Sequence, residues 1–338
     1  MPFLCTRYMN YLLRKGITPL LQELSLDDIW YIDKLIHKYL YVRAYKDVGE
    51  ISDEHLDRLY WELLPNEWRF LPPPVRPSSE DLFFYTQAIK NWNSGERKVL
   101  ILGSTPELRD IIAVCGYTQN KVYVADLSYR HLIEDATLGK HIDTEQEIWV
   151  KENWLTLPFP AGYFDIVLGD LVLQQIRPAQ ERIFLESMQR LLKKKGIFLT
   201  RAHFLDEECR DGNVQSVVDE VKKMPISDNE KFYATKLRLL WLSSNADNRT
   251  FNRPKVYQDY KKFIDGSLYV PRYLKRIEEN LRYFRNSNRD WSPPSKNELH
   301  SMFSEYFTAQ TQHTSRDHVC AEYYPIFQLS PKQCLLRV

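Results

Sequence analysis

Three acids and a histidine stand at positions where this chain could do chemistry. Glu107 closes the stretch Gly103-Ser104-Thr105-Pro106-Glu107. Asp126 ends the apolar run that starts at Val122, 23 residues past Gly103. Asp170 comes just after Ile166-Val167-Leu168, and His203 just after Ile197-Phe198-Leu199-Thr200. Three of the four therefore follow a short apolar run. A carboxylate so placed can accept hydrogen bonds from paired hydroxyls or take up a proton, and an imidazole can exchange one near neutrality.

The elements that must position these groups are legible. Val99-Leu100-Ile101-Leu102 reads as a strand buried on both faces. A turn at Gly103 follows, then a helix with Pro106 near its first position and Glu107 in its first turn. Leu108, Ile111, Ile112 and Cys115 give that helix an apolar face, and Gly116 can stop it. The next strand ends on Asp126. This β-α-β unit suits a nucleoside-containing cofactor: the turn allows close approach and the acid accepts from two ribose hydroxyls. The dinucleotide pattern G-x-G-x-x-G is absent. A pyrophosphate on the helix would meet Glu107, which argues against NAD or FAD, whereas a cationic, phosphate-free cofactor would be attracted. The alternative is a β-α-β core unit that binds nothing.

Composition narrows the class. The 338 residues carry a formal net charge of +1, with 43% hydrophobic and 27% charged residues, as in ordinary globular proteins. That balance selects neither a nucleic-acid binder nor an acidic-surface binder. The five cysteines form no C-x-x-C pair, so no metal site is expected and a reducing cytoplasm fits. No signal peptide or run of about 18 apolar residues is present, so no membrane span is expected.

Along the chain, residues 1–70 read as helices and Leu71 to Pro77 as a proline linker. Ser79 is expected to cap a helix running to about Trp92. Leu127–Leu138 reads as a helix, Glu147–Val150 as a third strand, Ile166–Leu168 as a fourth, and Pro178–Leu192 as a helix closed by Lys193-Lys194-Lys195-Gly196. Ile197–Thr200 is a fifth strand. From 204 to 292 the pattern is helical (Val214–Met224, Asp228–Leu242, Val256–Ile264, Tyr273–Phe284). Strands at Tyr306–Thr314 and Glu322–Leu329 would complete a seven-stranded sheet. The resulting division is a helical N-terminal cap (1–75), a cofactor-binding core (76–203), a helical insertion or lid (204–292) and C-terminal strands (293–338).

Residues 95–203 resemble the core of class I S-adenosylmethionine-dependent methyltransferases. LILGSTPELRD is similar to the family's first motif, VYVADLS to the second, ENWLTLPFP with YFDIVLGDLVLQQI to the third and the strand after it, and LLKKKGIFLTRAH to the lead into strand five. The resemblance implies a Rossmann-like α/β fold with a reversed last hairpin, and S-adenosylmethionine lying across the carboxyl ends of strands one, two and four. Carried over by motif, the cofactor residues are Gly103, Ser104, Thr105, Glu107, Asp126, Leu127, Asn153, Trp154 and Asp170. Three departures stand out, the first being Thr105 and Glu107 where the family carries two more glycines. Ile101 replaces the family's acid before the loop, a role Glu107 could fill from the helix start. Asn153 replaces an acid beside the adenine.

Methyl transfer from a sulfonium needs alignment and exclusion of water. Where the acceptor must lose a proton, Asp170 and then His203 are the catalytic candidates. Asp170 could equally be a helix cap, and His203 a core-edge residue. The segment 251–290 carries ten basic and five acidic residues, which fits a solvated helix face better than an anion-binding one. No Asn/Asp-Pro-Pro-aromatic run follows strand four, so methylation of base amines in nucleic acid is disfavoured. The expected acceptor is a small molecule methylated on O or N under the helical cap. A protein or RNA acceptor and a non-catalytic binding role are the alternatives. Acceptor identity and oligomeric state are not encoded legibly.

Overall fold

The computed structural model describes residue 68 and residues 71–92, 97–117, 121–205, 212–245, 247–284 and 291–332. The chain divides into two compact units, 1–67 and 68–338. The helices expected over 1–67, and with them most of the N-terminal cap, lie outside the described residues, so the fold below is that of the second unit.

Seven strands form one sheet. In chain order they are β1 (Val99–Leu102), β2 (Val122–Asp126), β3 (Glu147–Lys151), β4 (Phe164–Asp170) and β5 (Leu192–Arg201), then, after a two-stranded hairpin of β6 (Ser244–Asn245) and β7 (Thr250–Phe251), β8 (Phe307–His313) and β9 (Ile326–Pro331). The sheet order is β3-β2-β1-β4-β5-β9-β8. The first five strands run parallel, and β9 is antiparallel to both β5 and β8. The expected seven-stranded Rossmann-like sheet with a reversed last hairpin is thus observed.

Alternation along the strands builds two cores. Leu100, Leu102, Val167 and Phe198 point to one face, where they meet Phe184, Met188 and Phe303. Val99, Ile101, Leu168 and Leu199 point to the other, against Tyr85, Ile89, Leu108 and Ile112. β1 is buried throughout because helices cover both faces, as a parallel sheet requires. On the second face lie α1 (Ser79–Lys90) and α2 (Pro106–Val114), with α3 (Tyr129–Ala136) beside β2. The first face carries α4 (Glu181–Leu191) and, beyond the insertion, α9 (Lys296–Tyr306).

The insertion comprises α5 (Val214–Lys223), α6 (Asp228–Leu242), α7 (Arg253–Asp265) and α8 (Arg272–Phe284), all four where helical periodicity placed them. Val218, Leu239, Tyr260 and Ile277 give this bundle its own core. A smaller cluster of Val221, Ala234, Cys320 and Tyr324, with Leu171 against it, joins the bundle to the chain beside β4 and β9. On α7 and α8, Lys255, Lys262, Arg272, Lys275, Arg276 and Arg282 are exposed while Val256, Tyr260, Leu274 and Ile277 are buried. The basic excess is therefore a solvated face.

Three sequence expectations change. The cap of α1 is Ser78, which accepts from the Asp81 amide at 3.1 Å while the Asp81 carboxylate accepts from the Ser78 amide at 2.9 Å. Lys193-Lys194-Lys195-Gly196 does not close a helix. α4 stops at Leu191, and the lysines belong to β5, which bulges opposite Asp165. Tertiary pairing decides this: Asp165 takes the Lys193 ammonium at 2.7 Å and the Lys98 amide at 2.9 Å. Finally, α9 fills the stretch ahead of the strand expected from Tyr306, where no helix was expected. Its capping box, Ser295 with Glu298, was present in the sequence as the signal.

Candidate functional site

The loop after β1 is built by a few local rules. Gly103 sits at φ +80, a backbone shape that a side chain disfavours. Its amide donates to Ala125 O at 2.8 Å, and the Trp154 indole donates to the same oxygen at 2.8 Å. The Trp154 ring lies against Gly103: a Cβ built on the glycine would meet Cζ2 at 3.5 Å. Ser104 is buried and donates to Asp135 of α3, which ties the bend to the neighbouring helix. Thr105 is buried, Pro106 opens α2, and Gly116 at φ +76 stands just beyond its end.

Glu107 lies at the start of α2, where amide dipoles favour a carboxylate. Its two oxygens accept from the Trp68 indole at 3.1 and 2.8 Å, and Oε1 also accepts from the Arg76 guanidinium at 2.9 Å. At the end of β2, Asp126 is half-buried, and its Oδ1 accepts from the Ser128 amide at 2.9 Å. Leu127 beside it is half-buried too. The Asp126 carbonyl accepts from the Glu152 amide at 3.1 Å, and Asn153 turns the chain by accepting the Leu155 amide at 3.0 Å. The bonds of Gly103 and Trp154 to Ala125 O, and of Glu152 to the Asp126 carbonyl, therefore hold the bend, the end of β2 and the turn at 152–155 side by side.

Asp170 and His203 belong to different surroundings. Asp170 ends β4, and both of its oxygens are held by Arg201, from Nε at 2.7 Å and from NH2 at 3.0 Å. The remaining guanidinium nitrogen reaches Asp81 at 3.1 Å. The side chains of Asp81 and Arg201 are wholly buried, and that of Asp170 is 1% exposed. Tyr85 OH donates to Gly169 O and accepts from the Arg201 amide, both at 2.8 Å. Burial pushes the Asp170 carboxyl up to about 6 against the pull of Arg201. His203 is buried, stacks on Tyr324 at 4.4 Å and faces the α6 residue Trp241 at 6.0 Å. Its Nε2 makes no hydrogen bond. Burial, helped by the nearby Arg201 charge, pushes the imidazole down to about 3.

Residues 110–200 match a family model described as a methyltransferase domain. Over those residues the chain is similar to a methyltransferase domain. Among solved structures, a protein assigned as a zinc-dependent alcohol dehydrogenase from Rhodobacter sphaeroides shares this chain's fold with a TM-score of 0.52 at 16% identity. The match covers 82% of this chain and 99% of that one. NodS, an N-methyltransferase from Bradyrhizobium japonicum solved with S-adenosylhomocysteine, matches at 12% identity and a TM-score of 0.43, over 83% of this chain and 98% of its own. No curated protein matches the sequence.

Within the core, the residues carried over by motif fall into two groups. Gly103, Ser104, Thr105, Glu107, Asp126, Leu127, Asn153 and Trp154 gather around the bend. Asp170 and His203 line the network under the bundle. Sequence reading missed Trp68, Arg76, Asp81, Tyr85 and Arg201. Arg201 carried a usable signal: an arginine closing an apolar strand must find buried acids, and Asp81 and Asp170 are those acids. Among the described residues no helix is long and apolar enough to cross a membrane, and no group of three or more His, Cys, Asp or Glu could hold a metal ion.

The cofactor's donors and acceptors fit the bend. S-adenosylmethionine presents an ammonium, a sulfonium and two ribose hydroxyls and carries no phosphate. The Glu107 carboxylate already holds a cation, Arg76, and Asp126 stands at the strand end with one oxygen used by a turn amide.

Proposed function

We propose that this chain methylates a small-molecule acceptor, on oxygen or nitrogen, under the bundle α5–α8. The shared bonding of Gly103 and Trp154 to Ala125 O, with Asp126 next in the chain and its carbonyl bonded to Glu152, carries the cofactor part of this reading. Asp126 would hold the ribose hydroxyls, Asn153 would offer its side chain to the adenine, and Glu107 would hold the amino group. When bound, S-adenosylmethionine supplies an electrophilic methyl group on a sulfonium. The bundle supports an enclosed acceptor, since it packs beside Leu171 and Tyr324, next to the carboxyl ends of β4 and β5.

The chain's own contribution to the transfer is alignment and exclusion of water. Asp170 has both oxygens engaged by Arg201, and the His203 imidazole is a weak base at about 3. Both are better suited to fixing the floor of the acceptor site than to removing a proton first. An acceptor whose lone pair is available at neutral pH fits this site best, with its proton lost to solvent after transfer.

Calorimetry with S-adenosylmethionine and S-adenosylhomocysteine tests the reading, and one cofactor per chain is expected. Absence of binding leaves a non-catalytic methyltransferase fold. Binding with an acceptor found only among proteins or RNA moves the chain to the macromolecular class. In Glu107→Gln, equal weakening of the two compounds places the carboxylate on the amino group they share. Stronger weakening of S-adenosylmethionine places it near the sulfonium.

A further inference from the structure

The Arg76–Glu107 ion pair lies at the mouth of the bend. Arg76 stands in the segment 71–77, just ahead of α1. The turn there is closed by the Leu71 amide on Trp68 O and the Val75 amide on Pro72 O, each at 3.1 Å, and Pro74 and Pro77 on either side of Arg76 are buried. The backbone at Arg76 is therefore fixed, while its side chain remains 32% exposed. Glu107 is 13% exposed and is held independently by the Trp68 indole. Ile101, where the family carries an acid, is fully buried in β1 and cannot supply a charge.

We infer that Arg76 receives the carboxylate of the cofactor's methionine end, displaced from Glu107 by the ammonium of the same group; the inference rests on the cofactor reading above. An α-amino acid zwitterion offers an ammonium and a carboxylate two bonds apart. A carboxylate paired with a guanidinium is its charge complement, so each half can exchange its present partner for the matching half of the ligand. Trp68 holds Glu107 in place through the exchange, because a neutral indole N–H has no preference for the departing guanidinium. The planar fork of arginine suits a carboxylate better than the point charge of lysine. The segment before α1 thereby selects compounds that keep the amino-acid end and discriminates against those reduced to the nucleoside.

The test is calorimetry on the full chain with S-adenosylhomocysteine, decarboxylated S-adenosylmethionine and 5′-methylthioadenosine, which lacks both charged groups. Arg76→Ala should weaken S-adenosylhomocysteine by about ten- to hundredfold, the range of a charge-assisted hydrogen bond, and leave 5′-methylthioadenosine within about twofold. Arg76→Lys should recover part of the loss. The unaltered protein should bind decarboxylated S-adenosylmethionine at least about tenfold more weakly than S-adenosylmethionine itself, a comparison that needs no variant to fold. Equal loss of S-adenosylhomocysteine and 5′-methylthioadenosine in Arg76→Ala, no loss of either, or full affinity for the decarboxylated compound overturns the role of Arg76. Failure of the unaltered protein to bind any of the three overturns the cofactor reading instead.

Discussion

The carboxyl edge of the sheet has two halves built from the same kinds of side chain and put to opposite uses. Around β1 and β2, Glu107, Asp126 and Asn153 remain partly open to solvent, and their partners include turn amides, an indole and an exposed guanidinium. Around β4 and β5, Asp170, Arg201 and Asp81 are sealed, and nearly every polar atom of the three has a partner inside the fold. A carboxylate that keeps some exposure can change partners at smaller cost, which is what binding needs. Once buried with a guanidinium it cannot, because separating the pair leaves a bare charge in a medium that solvates it poorly. Accessibility therefore separates the half that can bind from the half that holds the sheet edge together.

The sharpest way to break this contrast is Arg201→Met. It strands two buried carboxylates, and we expect it to cost about 3–5 kcal/mol of unfolding free energy in urea denaturation. Adding Asp170→Asn should recover part of that loss. A variant with near-parental stability that loses only cofactor binding would move the buried half into the binding site.

On the open half, Asp126→Ala should weaken S-adenosylhomocysteine by about ten- to hundredfold in calorimetry, from the loss of charge-assisted bonds to two hydroxyls. Its unfolding free energy should fall by no more than about 1 kcal/mol, the worth of the turn contact to Ser128. Unchanged affinity would show that the ribose is held elsewhere.

The third test uses pH. His203 is held at about 3 in the fold, against 6.5 when free. The unfolded chain then binds the extra proton, so this group's contribution is complete above pH 6.5 and is lost as pH falls toward 3. The slope is about 1.4 kcal/mol per pH unit within that window. Asp170 acts in the opposite sense: its carboxyl is raised from 3.8 to about 6, so its contribution declines as pH rises through that range. His203→Phe, which keeps a ring on Tyr324, should flatten or reverse the acid loss in denaturation curves taken between pH 4 and pH 6. An unaltered slope would mean that the imidazole is hydrated and belongs to the open half.

Much of the scaffold was written locally. The all-apolar run at 99–102, Pro106 opening a helix, Gly116 ending it and the four helices between 214 and 284 each follow from periodicity and end signals that tertiary contacts did not override. The lysine run at 193–195 misled because a cationic helix end and a bulged strand are indistinguishable until Asp165 is placed opposite. For the candidate site, the glycine turn, the acid and the strand order indicated which end of the sheet to inspect.

The sequence by itself determined the β-α-β order, the bend at Gly103 and the placing of Asp126 and Asp170 at strand ends, because these depend on short-range periodicity and backbone sterics. Only the tertiary structure decided that Asp170 faces a buried Arg201, that Trp154 rests on Gly103 and that Arg76 answers Glu107. These pairings join residues 31 to 51 positions apart. Side-chain charge is a property of the residue, but its partners and its exposure to water are properties of the packed chain.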